Sequence, residues 1–179
     1  MIKRVLFLLL FFVQMNCWAQ FVSAKIKVIG LTCSMCSKSV HSALSGISFI
    51  DSIKVDLEST SFHVQFKKGE KVELIKIKDK IEGAGFSVGE LVVNYNFAEQ
   101  KITNGGFFEF EQSVYHFVDV KEQVLNGEVS LKLVDKGFMS KKDFSKQKKS
   151  SSYKCIGEVS SNKCYKTEQK GIKVYHLTL

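Results

Sequence analysis

Proline is absent from all 179 residues, arginine occurs once, at Arg4, and tryptophan once, at Trp18. Each shortage excludes something. Without proline there is no cis-proline to set against a dithiol, the arrangement on which thioredoxin-type oxidoreductases rely. Without arginine beyond residue 4 the chain lacks the planar fork used for bidentate recognition of phosphates and base edges. Its basic excess, a formal net charge of +8, is otherwise lysine, and this argues against nucleic acid as a partner. No membrane-length apolar run occurs either: Val5–Val13 holds nine apolar residues, against the ~20 that a bilayer core requires. Nor is there a Ser/His/Asp arrangement, a paired-carboxylate motif or a phosphate loop with its lysine, so no enzyme is expected.

Lys3 and Arg4 precede that apolar run, and Cys17-Trp18-Ala19 follows it with small residues where a signal peptidase requires them. Residues 1–19 therefore read as a signal peptide cleaved after Ala19, and the mature chain as exported, periplasmic or secreted, with no integral membrane span. Asn16 is a poor residue to precede a lipidated Cys17. Cleavage removes Lys3 and Arg4, lowering the formal charge to +6, and leaves four of the five cysteines: Cys33, Cys36, Cys155 and Cys164. Of the 24 remaining lysines, 14 lie after residue 94, a charge suited to solubility or to acidic surfaces.

The pattern divides the mature chain into two domains, 20–94 and 95–179. The first reads strand, helix, strand, strand, helix, strand. Lys25–Leu31 alternates polar and apolar residues. Cys36–Ile47 sets Val40, Ala43, Leu44 and Ile47 on one helical face. Ile50–Leu57 and Phe62–Phe66 form a hairpin pattern. Glu70–Glu82 is a second helix with Leu74, Ile77 and Ile81 inward, Glu70 and Glu73 in its first turn, and Gly83 and Gly85 at its end. Val88–Val93 closes a split βαβ arrangement, an α+β fold.

Cys33 and Cys36 lie between the first strand and the first helix, in Gly30-Leu31-Thr32-Cys33-Ser34-Met35-Cys36. Two thiols at this spacing can close on one soft ion, because the thiolate is the ligand and prefers Cu(I) or Zn(II) to hard cations. The spacing alone is ambiguous, since redox enzymes and zinc sites share it. Met35 is better read as an exposed spacer than as a third ligand.

Together with Val40, Ala43 and Leu44, Ile53–Leu57 and Ile81-Glu82-Gly83-Ala84-Gly85-Phe86, the loop resembles the heavy-metal-associated domain of copper chaperones, metal-transporting P-type ATPases and periplasmic mercury-binding proteins. The resemblance covers residues 24–94. It implies a ferredoxin-like βαββαβ fold and a surface loop in which Cys33 and Cys36 bind Cu(I) near-linearly. It also implies hand-over by ligand exchange with a metal-donor or metal-acceptor protein carrying a similar cysteine site. Thr32 matches the copper and mercury branches, which ranks Cu(I) above Hg(II) and Zn(II). Leu31 stands where the family usually has Met and should pack beneath the loop. Phe49 stands near a usual Gly, and the turn there should differ. Phe86 falls where the family places a residue that shields the metal; an ordinary core phenylalanine is the equal alternative.

After residue 94, short alternating segments at Phe107–Glu111, Val114–Val120, Glu128–Val134, Lys154–Val159, Cys164–Thr167 and Gly171–Leu179 predict a small antiparallel β domain, barrel or sandwich. Asn104-Gly105-Gly106 marks a turn, Asn126-Gly127 a tight hairpin, and the Lys-rich, Ser-rich stretch Lys141–Lys154 a solvated loop. Cys155 and Cys164 are a candidate disulfide of an exported protein. The sharper reading is a second soft-metal site with His116 or His176, although a strand histidine is more often half-exposed surface. Two rival functions stand beside metal carriage: a thiol-disulfide reductant of the cell envelope, and an assembly or adhesion protein whose metal domain is vestigial.

Overall fold

The structure is a computed structural model that describes residues 20–159, 165 and 171–179. The expected signal peptide and Cys164 lie outside the described residues. The elements run β1 (Gln20–Ile29), α1 (Ser34–Ser45), β2 (Ile50–Asp56), β3 (Ser61–Phe66), α2 (Leu74–Gly83), β4 (Ser87–Ile102), β5 (Phe107–Phe110), β6 (Ser113–Phe117), β7 (Gln123–Leu133), α3 (Lys141–Ser150) and β8 (Lys173–Thr178). Eight strands form one sheet in the order β2-β3-β1-β4-β7-β8-β6-β5. Its first four strands give the ferredoxin-like βαββαβ arrangement. In β1, Ala24, Ile26 and Val28 are buried while Lys25 and Lys27 are exposed. The buried face receives Val40 and Leu44 of α1 and Leu74, Ile77 and Ile81 of α2.

Boundaries move where tertiary pairing competes with local pattern. β1 begins at Gln20 and β4 continues to Ile102, because the two pair from Gln20↔Asn96 and Phe21↔Tyr95 back to Ile29↔Ser87. α2 starts only at Leu74, with Glu73 at its N-cap and no acidic residue in its first turn; Glu70 precedes the helix. Phe49, in place of a turn glycine, is 2% exposed and meets Phe66 edge to face at 5.9 Å, so this turn is anchored by an aromatic ring.

The second half does not stand apart as a separate barrel or sandwich. β4 passes residue 94 without a break and pairs with β7 from Val92↔Lys132 to Ile102↔Gln123, so β5 to β8 extend the first sheet. The extension curls. β5 is four strands from β4, roughly 19 Å in a flat sheet at ~4.8 Å per strand. Yet Phe110 and Phe108 of β5 meet Tyr95 of β4 at ring distances of 5.2 and 5.5 Å. Phe21, Tyr115 and Tyr175 join this aromatic core. Among the described residues no ladder joins β5 to β4, and β6 and β8 pair in parallel.

Three expectations are corrected here. Asn126-Gly127 lies inside β7 instead of turning a hairpin. Gly127, at φ +71°, faces Phe97 where the ladder shifts register between Phe97 and Gln100, so its left-handed conformation serves a bulge. The lysine-rich stretch is a helix over Lys141–Ser150. Ser140 caps it, accepting from the Asp143 N–H at 3.1 Å and donating to the Asp143 carboxylate at 2.5 Å, and Phe144 packs inward on Val118, Val134, Met139 and Ile156. Ser140-x-x-Asp143 was a legible helix start, masked by the lysines. Finally, 154–159 forms turns in place of a strand.

Leu131, fully buried on β7 opposite Val93 of β4, tests the joint between the halves. Leu131→Ala should cost about 2–5 kcal/mol in urea unfolding. Far-UV and near-UV circular dichroism should move together, whereas two separated transitions would mean that the halves unfold independently.

Candidate metal centre

The cysteine loop is built by a turn and a helix start. β1 ends at Ile29, and Gly30 at φ +98° turns the chain across the sheet end, a conformation that a residue with a Cβ adopts only at a cost. A Cβ on Gly30 would lie 3.6 Å from the Phe86 ring, so Phe86 sits directly against the loop. It is held there by the α2 terminus, where the Phe86 N–H donates to the Ile81 carbonyl at 3.1 Å and Gly85 takes φ +87°. Half-buried Leu31 and Phe86 both pack on the main core. Phe86 is thus at once a core residue and a neighbour of the metal loop.

Cys33 is the N-cap of α1, extended at φ −152°, and its sulfur accepts the Cys36 N–H at 3.3 Å. This satisfies one of the donors left open at a helix start and places both sulfurs in the positive potential there. Both cysteines are free, Cys33 exposed and Cys36 half-exposed, with sulfurs 2.6 Å apart. The Cys36 thiol is held below its ordinary value, first by the hydrogen bond with the Cys33 sulfur. The Thr32 backbone and hydroxyl and the Cys33 backbone add to this against slight desolvation. Thr32 Oγ1 lies 4.0 Å from the Cys36 sulfur. Met35 points to solvent, 69% exposed.

Metal–sulfur bonds of ~2.3 Å would put two sulfurs ~4.6 Å apart in a linear complex, so the pair must open by about 2 Å to take an ion in that geometry. Cys33 is exposed and Cys36 half-exposed, which leaves both side chains room to turn. Among the described residues no further His, Cys, Asp or Glu ligand atom joins them in a cluster. The site therefore offers two soft donors and an open face.

The remaining candidates lie elsewhere. Cys155 is disulfide-bonded, while Cys164, its proposed partner, is outside the described residues. His116 and His176 are 2% and 0% exposed, correcting the expectation that they are surface residues: parallel pairing of β6 and β8 puts them side by side, and the α3 region covers them. No helix among the described residues is long and apolar enough to cross a membrane.

Comparison with known proteins finds relatives of the first half of the chain. The heavy-metal-associated domain matches residues 25–87. The copper chaperone CopZ of Staphylococcus aureus is 36% identical over 63 residues, which are 35% of this chain and 91% of that protein. A probable copper-exporting P-type ATPase of Archaeoglobus fulgidus is 29% identical over 63 residues, 35% of this chain but only 8% of the ATPase. Among solved structures, oxidized MerP from Ralstonia metallidurans CH34 is 29% identical, covering 40% of this chain and 97% of that one at a TM-score of 0.33. The chain belongs, through residues 25–87, to the heavy-metal-associated domain family.

The lowered Cys36 thiol has a kinetic consequence. Iodoacetamide should alkylate the reduced protein with a pH profile that inflects below the ordinary cysteine value of ~8.5. Cys36→Ser should remove that fast phase, as followed by mass spectrometry.

Proposed function

We propose that this protein carries Cu(I) in an exported compartment and passes it, by ligand exchange, to or from a partner with a similar pair of cysteines. The observation that carries the reading is the pair of free sulfurs on an open helix start with no third His, Cys, Asp or Glu ligand beside them among the described residues. Two thiolates are a sufficient set for a soft monovalent ion, whereas structural Zn(II) takes four ligands. Hg(II) fits the same pair and stands second. An open face allows an incoming thiolate to bind before an outgoing one leaves, so the ion need not be released to water. The chaperone and ATPase similarities suggest such a partner, and the N-terminal apolar run supports export.

Transfer requires that metal loading be reversible and depend on both cysteines. Anaerobic Cu(I) titration of reduced protein against a competing chelator should show tight binding at this loop. Cys33→Ser or Cys36→Ser should weaken it by more than about 100-fold, beyond the loss typical of outer-shell changes. Binding unaffected by both substitutions would rule the reading out. Turnover of insulin disulfides by the wild type, lost in the same variants, would favour the envelope reductant instead.

A further inference from the structure

On the opposite surface of the sheet from the aromatic core, parallel pairing sets His116 of β6 directly beside His176 of β8, with ring centroids 5.2 Å apart. The covering segment brings Cys155 to them. One ring nitrogen of each histidine and the Cys155 sulfur all lie within 4.8 Å of one another. Donors around one ion at ordinary bond lengths are about 3.5 Å apart in a tetrahedron and farther apart in flatter geometries, so the gap is within reach of side-chain rotation.

The hydrogen bonds decide what these rings present to each other. The Asp135 carboxylate, fully buried, receives the His176 backbone N–H on Oδ2 and its ring Nδ1–H on Oδ1, both at 2.7 Å. That leaves Nε2 as a lone pair, and Nε2 has no partner among the described residues. The His116 ring lies close to the Gly105 backbone, and its Nδ1 has no partner among the described residues. Two buried imidazoles thus each keep a ring nitrogen without a partner among the described residues, one ring nitrogen of each lies within 4.8 Å of the Cys155 sulfur, and the His176 Nδ1–H is anchored on the Asp135 carboxylate. This is the outer-shell pattern that orients metal-binding histidines. As a purely structural pair it would be costly, since each buried unsatisfied polar atom forfeits the hydrogen bonds that water would give it. Phe107 stacks on His116 at 4.2 Å and Tyr153 meets its edge at 5.0 Å, fixing the ring.

We infer that His116 Nδ1 and His176 Nε2 are ligands of a second metal site, for Cu(I), whose third ligand is the Cys155 sulfur once a dithiol has reduced its disulfide. In that step the dithiol becomes a cyclic disulfide and gives two electrons to the Cys155 disulfide, which opens to two thiols. The Cys155 thiol then loses its proton to solvent as the ion binds. Two imidazoles and one thiolate suit copper, whereas a structural zinc site would need a fourth ligand. Cys155 is half-buried, so its side of the cluster is the way in. The site is closed to a three-ligand ion under oxidising conditions and open under reducing ones.

The test uses the full chain carrying Cys33→Ser and Cys36→Ser, which removes the loop site and makes the outcome independent of the function proposed above. Anaerobic Cu(I) titration against a chromogenic chelator, before and after dithiothreitol reduction and desalting, should show one copper per chain in the reduced form. Affinity should fall about tenfold or more in the oxidised form, at least the loss seen for outer-shell changes. X-ray absorption of the loaded protein should show nitrogen and sulfur donors together. Adding His116→Gln should abolish uptake with the circular dichroism unchanged. If that variant misfolds, the redox comparison and the absorption spectrum on intact histidines still decide the matter. No copper uptake, sulfur-only coordination, uptake indifferent to reduction, or Zn(II) bound in preference to Cu(I) would overturn the inference.

Discussion

Everything in this molecule hangs on one strand. β4 runs sixteen residues, Ser87–Ile102, and pairs with β1 on one side and β7 on the other. Val88, Leu91 and Val93 serve the core beneath the helices; Tyr95 and Phe97, two and four residues on, serve the aromatic core of the second half. A strand buried with period two cannot slip by one residue without exposing both cores. Its register therefore holds the halves together, and its N-terminal end follows directly on Phe86, the ring against the cysteine loop.

The two groups of soft ligands have opposite surroundings, and the difference follows from where each sits in the sheet. Cys33 and Cys36 lie beyond a strand end, on a helix start, where the backbone has open donors and water has access. Such a place lowers a thiol's affinity for its proton and leaves room for a partner's sulfur. His116 and His176 sit in the middle of parallel neighbours, covered by Tyr153 and the segment after α3. There the lone pairs are protected from solvent, and that of His176 is oriented by Asp135. An exposed pair suits exchange with another protein; an enclosed pair suits retention. Proposed together, they describe a carrier with a docking site for its cargo and a guarded one behind it.

Legibility in the sequence divides along the same line. The βαββαβ order, the inward faces of both helices and the cysteine loop could all be read, because each rests on contacts close in sequence: alternation within a strand, i, i+3 and i+4 spacing within a helix, a glycine next to the cysteines. The extent of β1 and β4 could not, since Gln20, Asn94 and Asn96 look like loop residues until a neighbour strand pairs with them. Asn126-Gly127 misled for the same reason: a positive φ is equally useful in a turn and in a bulge, and only the partner strand distinguishes the two. In α3 a legible cap was outweighed by ten residues with few apolar side chains.

By itself the sequence determined the chemistry of the cysteine loop, two thiols at a spacing that suits a soft ion, and a fold for residues 24–94 written in local periodicity. Tertiary structure alone decided that the second half continues the first sheet, that this sheet curls back on Tyr95, and that His116 and His176, sixty residues apart, stand side by side. The physical reason is that ladder pairing and ring contact between distant strands depend on which edges meet, and no local pattern of residues records that choice.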